Sequence, residues 1–233
     1  MPKARAIPLV VLSLGGSVFR TGEGDAAYLR KLASLLHEVA TSHRLVVTTG
    51  GGRTAREYIE LARELGLTPI ELDELGIEVT RLHARLLAGL LGPPVSPTPP
   101  TTLGEAVREA HRGGIVVLGG TEPGHTTDGV AALLAARLRA DRLVNATSVS
   151  GLFDKDPRRD RSAQRIERCG WDQFRDQVAS VGRGDPGQQF VFDALGAELL
   201  ARSRIPLWIV DGRDLDQLEG ALLGRPFIGT RVE

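Results

Sequence analysis

The residues able to do chemistry fall in short turns. Gly15-Gly16-Ser17, Gly50-Gly51-Gly52 and Gly119-Gly120-Thr121 each follow an apolar run, and Thr147-Ser148 follows another. Glycine admits close approaches and backbone conformations that a side chain would block, and free amides where a turn opens a helix bind anions. Arg53 and Arg56 stand just past the triple glycine, close enough to the start of the next helix to reach an anion held there. Thr126 or Thr127 is placed to cap a helix whose first turn holds Asp128, where a carboxylate suits the helix dipole. Asp73 stands at the start of a further helix and reads either as its N-cap or as an acceptor for a ligand hydroxyl. Phe153 is expected to be exposed, among Asp154, Asp156, Arg158, Arg159 and Asp160. It reads as a cover for a purine base with Asp156 near the ribose, or as part of a solvated, charge-balanced loop. Several glycine turns gathered on one edge imply a long, multiply charged ligand, and together they predict a nucleotide site.

Strands must position these turns. Residues 9–14, 45–49, 115–118 and 142–146 are short apolar runs rich in β-branched residues, the pattern of strands buried in a parallel sheet. Ligands of open α/β sheets bind at the carboxyl ends of the strands, where these turns sit. Helical spacing of apolar residues recurs between them. Leu29, Leu32, Leu35, Leu36 and Val39 mark one helix, and residues 54–65 form the next and stop at Gly66. Leu72, Leu75, Val79, Leu82, Leu86, Leu87 and Leu90 make the longest apolar stripe, broad enough to face the core or a second subunit. His83 beside it reads as a core or interface residue. Residues 92–100 hold five prolines and form a surface connector to a helix over 103–112. Val130, Ala131, Leu133, Leu134 and Leu138 predict the helix after the central turn. A loop over 182–187, a helix over 193–202, a strand over 207–210, a helix over 214–223 and a strand near 227–232 close the chain.

A chain of 233 residues can form one large α/β domain. Its 29 basic and 29 acidic residues balance, which argues against nucleic acid as a partner. Nearly all the basic residues are arginine, a composition bias of the genome. A lone cysteine, Cys169, excludes an internal disulfide and a cysteine-built metal cluster. No apolar run is long enough to span a membrane, and the apolar stretch near the N-terminus is too short for a signal peptide. A cytoplasmic location is expected.

The segments LSLGGSVF, TTGGGRTAREYIELARELG, LDELGIEVTRLHARLL, LGGTEPGHTTDGVAALLA and NATSVSGLFDKDP occur in this order over nearly the whole chain. In residues and spacing the sequence resembles the archaeal-type uridylate (UMP) kinases of the amino-acid kinase superfamily. DELGI, GGTEPGHTTD and the ATSV-G-aromatic-x-x-DP run are the segments specific to that branch. The resemblance implies a three-layer α/β/α sandwich around a mostly parallel open sheet, in a single domain. An acceptor lobe would cover 1–140 and an ATP lobe 141–233. It implies transfer of the γ-phosphoryl group of ATP to UMP, with Mg2+ carried by the ATP and no direct protein ligands. By position, Gly16 and Ser17 would hold the ATP phosphates, with Gly52 and Arg56 where the two nucleotides meet. Gly51 would face UMP, Asp73 would bind its ribose, and Thr121, Glu122, Pro123, Gly124, His125, Thr126 and Thr127 would wrap it. Thr147, Phe153 and Asp156 would hold the adenosine. Asp128 and Arg56 would carry the catalysis. A homohexamer built as a trimer of dimers is the implied assembly.

The sequence also departs from the pattern. Ser13 stands where many superfamily members have lysine, Ser150 replaces an aspartate, Phe153 a tyrosine, and Arg158-Arg159 a lysine pair. Gly196-Ala197-Glu198 replaces a late AAK. Two other functions fit a chain of this kind: a non-catalytic ATP-binding store for metal or oxyanion, and a kinase of another acceptor.

Overall fold

The computed structural model describes residues 7–19, 25–155, 160–181 and 192–233. Strands β1 (Leu9–Leu14), β2 (Arg44–Thr49), β3 (Ile115–Leu118) and β4 (Arg142–Thr147) lie side by side and parallel in the order β3-β2-β1-β4. A small antiparallel pair, β5 (Leu152–Phe153) and β6 (Arg165–Ile166), stands apart from the main sheet. Beyond β4 the sheet continues through β8 (Leu207–Asp211), β9 (Gly229–Val232) and β7 (Arg168–Cys169), with β9 antiparallel to β8. The chain therefore adds strands to one side of β1, then crosses to the other side with β4. That reversal opens a crevice at the carboxyl ends of β1 and β4, where open α/β sheets take their ligands.

Side-chain alternation along the strands builds two cores. Val10, Leu12 and Leu14 of β1, with Leu45 and Val47 of β2, face a layer of α1 (Asp25–Ala40), α3 (Pro69–Leu91) and α8 (Leu215–Leu223). Leu9, Val11 and Val46 face α4 (Leu103–Ala110), α5 (Thr127–Leu138) and α7 (Ala194–Ser203). Helix α2 (Gly52–Glu64) leaves the triple glycine directly, and α6 (Trp171–Val181) puts Phe174 into the second core. The result is the expected three-layer α/β/α sandwich on a mostly parallel sheet. No helix among the described residues is long and apolar enough to cross a membrane.

Several boundaries differ from the sequence expectation. α2 begins at Gly52 rather than residue 54, α4 ends at Ala110, and the last strand begins at Gly229. The consequential difference is at α3. Its N-cap is Thr68, with Pro69 as the first helical residue, so Asp73 lies inside the first turns and is not the cap. The Glu71 carboxylate accepts the Thr68 N–H at 2.7 Å, and the Glu71 N–H donates back to Thr68 Oγ1, a complete capping box. The long stripe on α3 also divides. Ile77, Val79, His83, Ala84 and Leu87 are buried, whereas Leu82, Leu86 and Leu90 project outward with 61%, 52% and 39% exposure. Phe153 is half-buried rather than exposed, because it pairs with Arg165 across the small hairpin. The hairpin itself, β7 and α6 were not anticipated, since each is too short or too polar to show a period.

Candidate active site

The two glycine turns at the ends of β1 and β2 are packed against each other. A Cβ on Gly16 would stand 2.1 Å from the Gly52 nitrogen and 2.5 Å from the Gly50 oxygen. Gly52 has φ +60°, a conformation side-chain-bearing residues rarely adopt. Ser17 follows in a short 3-10 turn, Gly16–Val18. The paired turns are tied onward to β4, because the Gly15 N–H donates to the Ala146 carbonyl at 2.9 Å. Thr147, the last residue of β4, accepts from the Gly212 N–H at 2.8 Å. Gly16, Ser17, Gly51, Gly52 and Thr147 thus share one edge. Arg56 is exposed on α2 with no ion-pair partner among the described residues, while Arg53 pairs with Glu57 at 2.8 Å. Of the two arginines beside the triple glycine, Arg56 is the one without an ion-pair partner among the described residues and so free for an anionic ligand.

Strand parity brings Asp128 into this edge. Ser13 lies on the same face of β1 as Val11, the face covered by α5, and its hydroxyl donates to Asp128 Oδ1 at 2.5 Å. Withdrawal from water is the larger influence on that carboxyl and raises it to about 6, the Ser13 bond pulls it down, and the charge of Asp193 pushes it up. Asp193 caps α7 through the Gly196 N–H at 2.6 Å and accepts from the Thr126 hydroxyl at 3.0 Å. Thr126, not Thr127, is the N-cap of α5, taking the Gly129 N–H at 3.0 Å. Asp128 and Asp193 therefore stand at the starts of two adjacent helices and repel one another. Among the described residues no group of three or more His, Cys, Asp or Glu could hold a metal ion.

The segment 119–127 crosses from β3 to α5 and is pinned to α3. Asp73 Oδ2 accepts the Gly124 N–H at 2.9 Å, so the LDELGI helix and the TEPGHTTD loop form one wall. Gly124 itself has φ +84°. Glu122, Pro123 and His125 are exposed along this loop, with the His125 ring 3.3 Å from the Glu122 carboxylate. The Thr121 hydroxyl is buried without a hydrogen-bond partner among the described residues. A buried hydroxyl in that state is costly, and a ligand seated in the loop would satisfy it. Asp156 lies outside the described residues, as do Arg158, Arg159 and the loop over 182–187.

Sequence reasoning missed part of this edge. From the family pattern Ser13 reads only as a departure, although period-two counting along β1 puts it on the α5 side. Asp193 was read only as a helix start. Asp211, the last residue of β8, and Arg213, paired at 2.7 Å, also reach the edge, with the Arg213 guanidinium donating to the Ser148 carbonyl at 2.9 Å. The Tyr28 hydroxyl closes this corner by donating to the Gly212 carbonyl.

Comparison with known proteins gives this geometry a family. The sequence model of the amino acid kinase family matches residues 8–211. The uridylate kinase of Methanospirillum hungatei JF-1 is 42% identical over 226 residues, 97% of this chain and 95% of that protein. The uridylate kinase of Thermoplasma volcanium is 42% identical over 229 residues, 96% of this chain and 97% of its own. The crystal structure of uridylate kinase from Archaeoglobus fulgidus superposes with a TM-score of 0.86 at 38% identity, covering 96% of this chain and 99% of that one. The chain belongs to the amino acid kinase family, in its uridylate kinase branch.

Proposed function

We propose that the protein is a UMP kinase, transferring the γ-phosphoryl group of ATP to UMP to give ADP and UDP in pyrimidine nucleotide synthesis. The observation that carries this reading is the Asp73–Gly124 hydrogen bond. It makes one wall of two segments that distinguish the uridylate branch, and the partnerless Thr121 hydroxyl stands in the same loop. In this reading Asp73 takes the ribose hydroxyls of UMP, while Gly51 and residues 121–127 enclose the rest of the nucleotide. Thr147, Phe153 and Asp156 hold the adenosine of ATP. Gly16 and Ser17 hold its phosphates, and Gly52 and Arg56 stand where the two phosphate chains meet. The acceptor lobe is residues 1–140 and the ATP lobe 141–233.

Phosphoryl transfer asks a protein for alignment and charge neutralisation more than for covalent chemistry. A phosphate oxygen of UMP bonds to the γ-phosphorus as the bond to the β-bridging oxygen breaks and ADP leaves. Both substrates bring their own reacting groups, so no side-chain nucleophile is required. Backbone amides of the facing glycine turns and the Arg56 guanidinium supply fixed positive charge along that line. Asp128, held by Ser13, orients the apparatus from the start of α5. Mg2+ carried by ATP neutralises phosphate oxygens when bound. The edge fits an ion carried by ATP without direct protein ligands, because Mg2+ keeps several waters and is held mainly through substrate phosphates. Asp128 and Asp193, already bonded to Ser13, Thr126 and the Gly196 N–H, would meet such an ion through its waters. The outward leucines of α3 make a subunit contact, and the assembly is a hexamer of paired subunits.

The test is ADP release from Mg-ATP with UMP, CMP, dUMP and acetylglutamate offered in parallel. UMP is expected to be turned over fastest, with no activity when the divalent cation is chelated. ATP binding with no acceptor turned over would instead identify a non-catalytic store, and preference for acetylglutamate a different kinase.

A further inference from the structure

One turn of α3 carries side chains that are themselves assigned to no ligand, yet reach three separate pieces of the site. His83 is 5% exposed and stacks on Phe19, ring centroids 4.6 Å apart and planes 11° from parallel. Phe19 directly follows the Gly16–Val18 turn. The His83 Nδ1 lies 2.8 Å from the Gly50 carbonyl. A carbonyl only accepts, so Nδ1 carries the proton and donates, and burial favours the neutral ring by lowering its proton affinity. His83 thus holds the β1 turn by stacking and the triple-glycine turn by a hydrogen bond.

Arg81 and Thr80 hold the other wall. Arg81 Nε donates to the Gly120 carbonyl at 3.2 Å and an Nη2 proton goes to the Thr121 carbonyl at 3.0 Å. Thr80 Oγ1 accepts the Gly120 N–H at 2.6 Å, and the Thr80 carbonyl accepts from Thr49 Oγ1 at 2.9 Å. The loop lies directly on the helix, since a Cβ on Gly119 would come within 2.6 Å of the Arg81 nitrogen. Apart from the Phe19 ring and the Thr49 hydroxyl, these partners in the loop and turns are backbone groups. The arrangement fixes where the amides and carbonyls of the glycine turns sit, and an Arg fork spanning two successive carbonyls fixes the plane of the Gly120–Thr121 peptide.

From this we infer that Arg81 and His83 are positioning residues for phosphoryl transfer: Arg81 sets the acceptor wall, and His83 sets the alignment of the two phosphate-binding turns. The inference rests on the assignment of UMP to the 121–127 wall. The two residues then act on different kinetic constants. Loss of the Arg81 fork frees the loop that wraps UMP. It also removes Arg81's bonds to Glu78 at 2.7 Å and to the Thr101 carbonyl at 3.4 Å, neither of which belongs to the turns assigned to ATP. KM for UMP therefore rises while KM for ATP stays. Loss of the His83 donor lets the Gly16 and Gly52 turns shift relative to each other, and a misplacement of about 1 Å at reacting groups costs on the order of a hundredfold in rate.

The experiment uses the full chain with Arg81→Met, Arg81→Lys, His83→Leu and His83→Asn. Both KM values, kcat and melting temperature are measured, together with amide hydrogen exchange over 119–124 without nucleotide. For Arg81→Met we expect KM for UMP to rise roughly tenfold or more, KM for ATP to stay within about twofold, and exchange in the loop to quicken. Arg81→Lys, which keeps the charge but not the fork, should behave like Arg81→Met and serves if the methionine variant fails to fold. For His83→Leu we expect kcat to fall roughly tenfold or more, and His83→Asn, whose amide can donate to the Gly50 carbonyl, should recover most of it. Equal shifts of both KM values in the Arg81 variants, unchanged loop exchange, or His83→Asn no better than His83→Leu would overturn the inference. If wild-type protein makes no UDP while loop exchange still quickens in Arg81→Met, the positioning stands and the identity of the acceptor fails.

Discussion

At the scale of single residues, Asp128 separates a helix cap from a reacting centre. Its first-turn position was legible from the T-T-D-G spacing, but the tie to Ser13 was not, because it joins residues 115 positions apart. The Asn variant keeps the size and an oxygen to accept the Ser13 hydroxyl, and removes only the charge. We expect Asp128→Asn to lower kcat roughly a hundredfold or more, the scale of losing one preorganised electrostatic group, with the fold intact. Near-wild-type kcat would reduce the residue to packing. The fold raises this carboxyl from 3.8 to about 6, so the group favours the folded state in its neutral form and that advantage is lost as pH rises through about 6. Asp128→Asn should therefore melt higher than wild type above about pH 6, with the difference closing toward the ordinary carboxylate value of 3.8. Melting curves across pH decide this, and a lower-melting variant at pH 8 would contradict it.

At the scale of elements, the four strands and their turns were readable because buried parallel strands are continuous apolar runs and glycine clusters mark their ends. Which turns touch was not readable, since strand order is a tertiary fact. The contact of Gly16 with Gly52 makes a sharp forecast. In Gly16→Ala the new methyl would fall on backbone that cannot give way, so activity should collapse and the melting temperature drop, and an active, stable variant would mean the turns can part freely. Helix α3 shows the converse. The T-P-x-E pattern at Thr68–Glu71 signals a capping box, which removes the N-cap alternative for Asp73 and leaves its reading as an acceptor for a ligand hydroxyl. That correction separates Thr68→Ala, which acts on the cap, from Asp73→Ala, which acts on the site. Thr68→Ala should cost about 1 kcal/mol of stability and leave both KM values near wild type.

At the scale of the whole molecule, the proposed function divides the edge at the sheet reversal between β1 and β4 into an acceptor side, bounded by α3 and residues 119–127, and a donor side toward β4. The same α3 that supplies Asp73 inward carries Leu82, Leu86 and Leu90 outward. In the proposed assembly that face meets another subunit, and sequence periodicity alone could not tell the core half of the stripe from the outer half. Leu82→Glu with Leu86→Glu should shift the protein to a smaller species in light scattering, whereas an unchanged mass would place the contact elsewhere. The division into acceptor and donor sides is the central claim, and Asp73→Ala tests it most directly. A carboxylate accepting bonds from sugar hydroxyls makes charge-assisted hydrogen bonds, each of about 1.5–3 kcal/mol. Steady-state kinetics with each substrate varied in turn should show KM for UMP raised roughly ten- to a hundredfold with KM for ATP nearly unmoved. Equal shifts in both constants would contradict the account and put the acceptor somewhere other than the wall joined by Asp73 and Gly124.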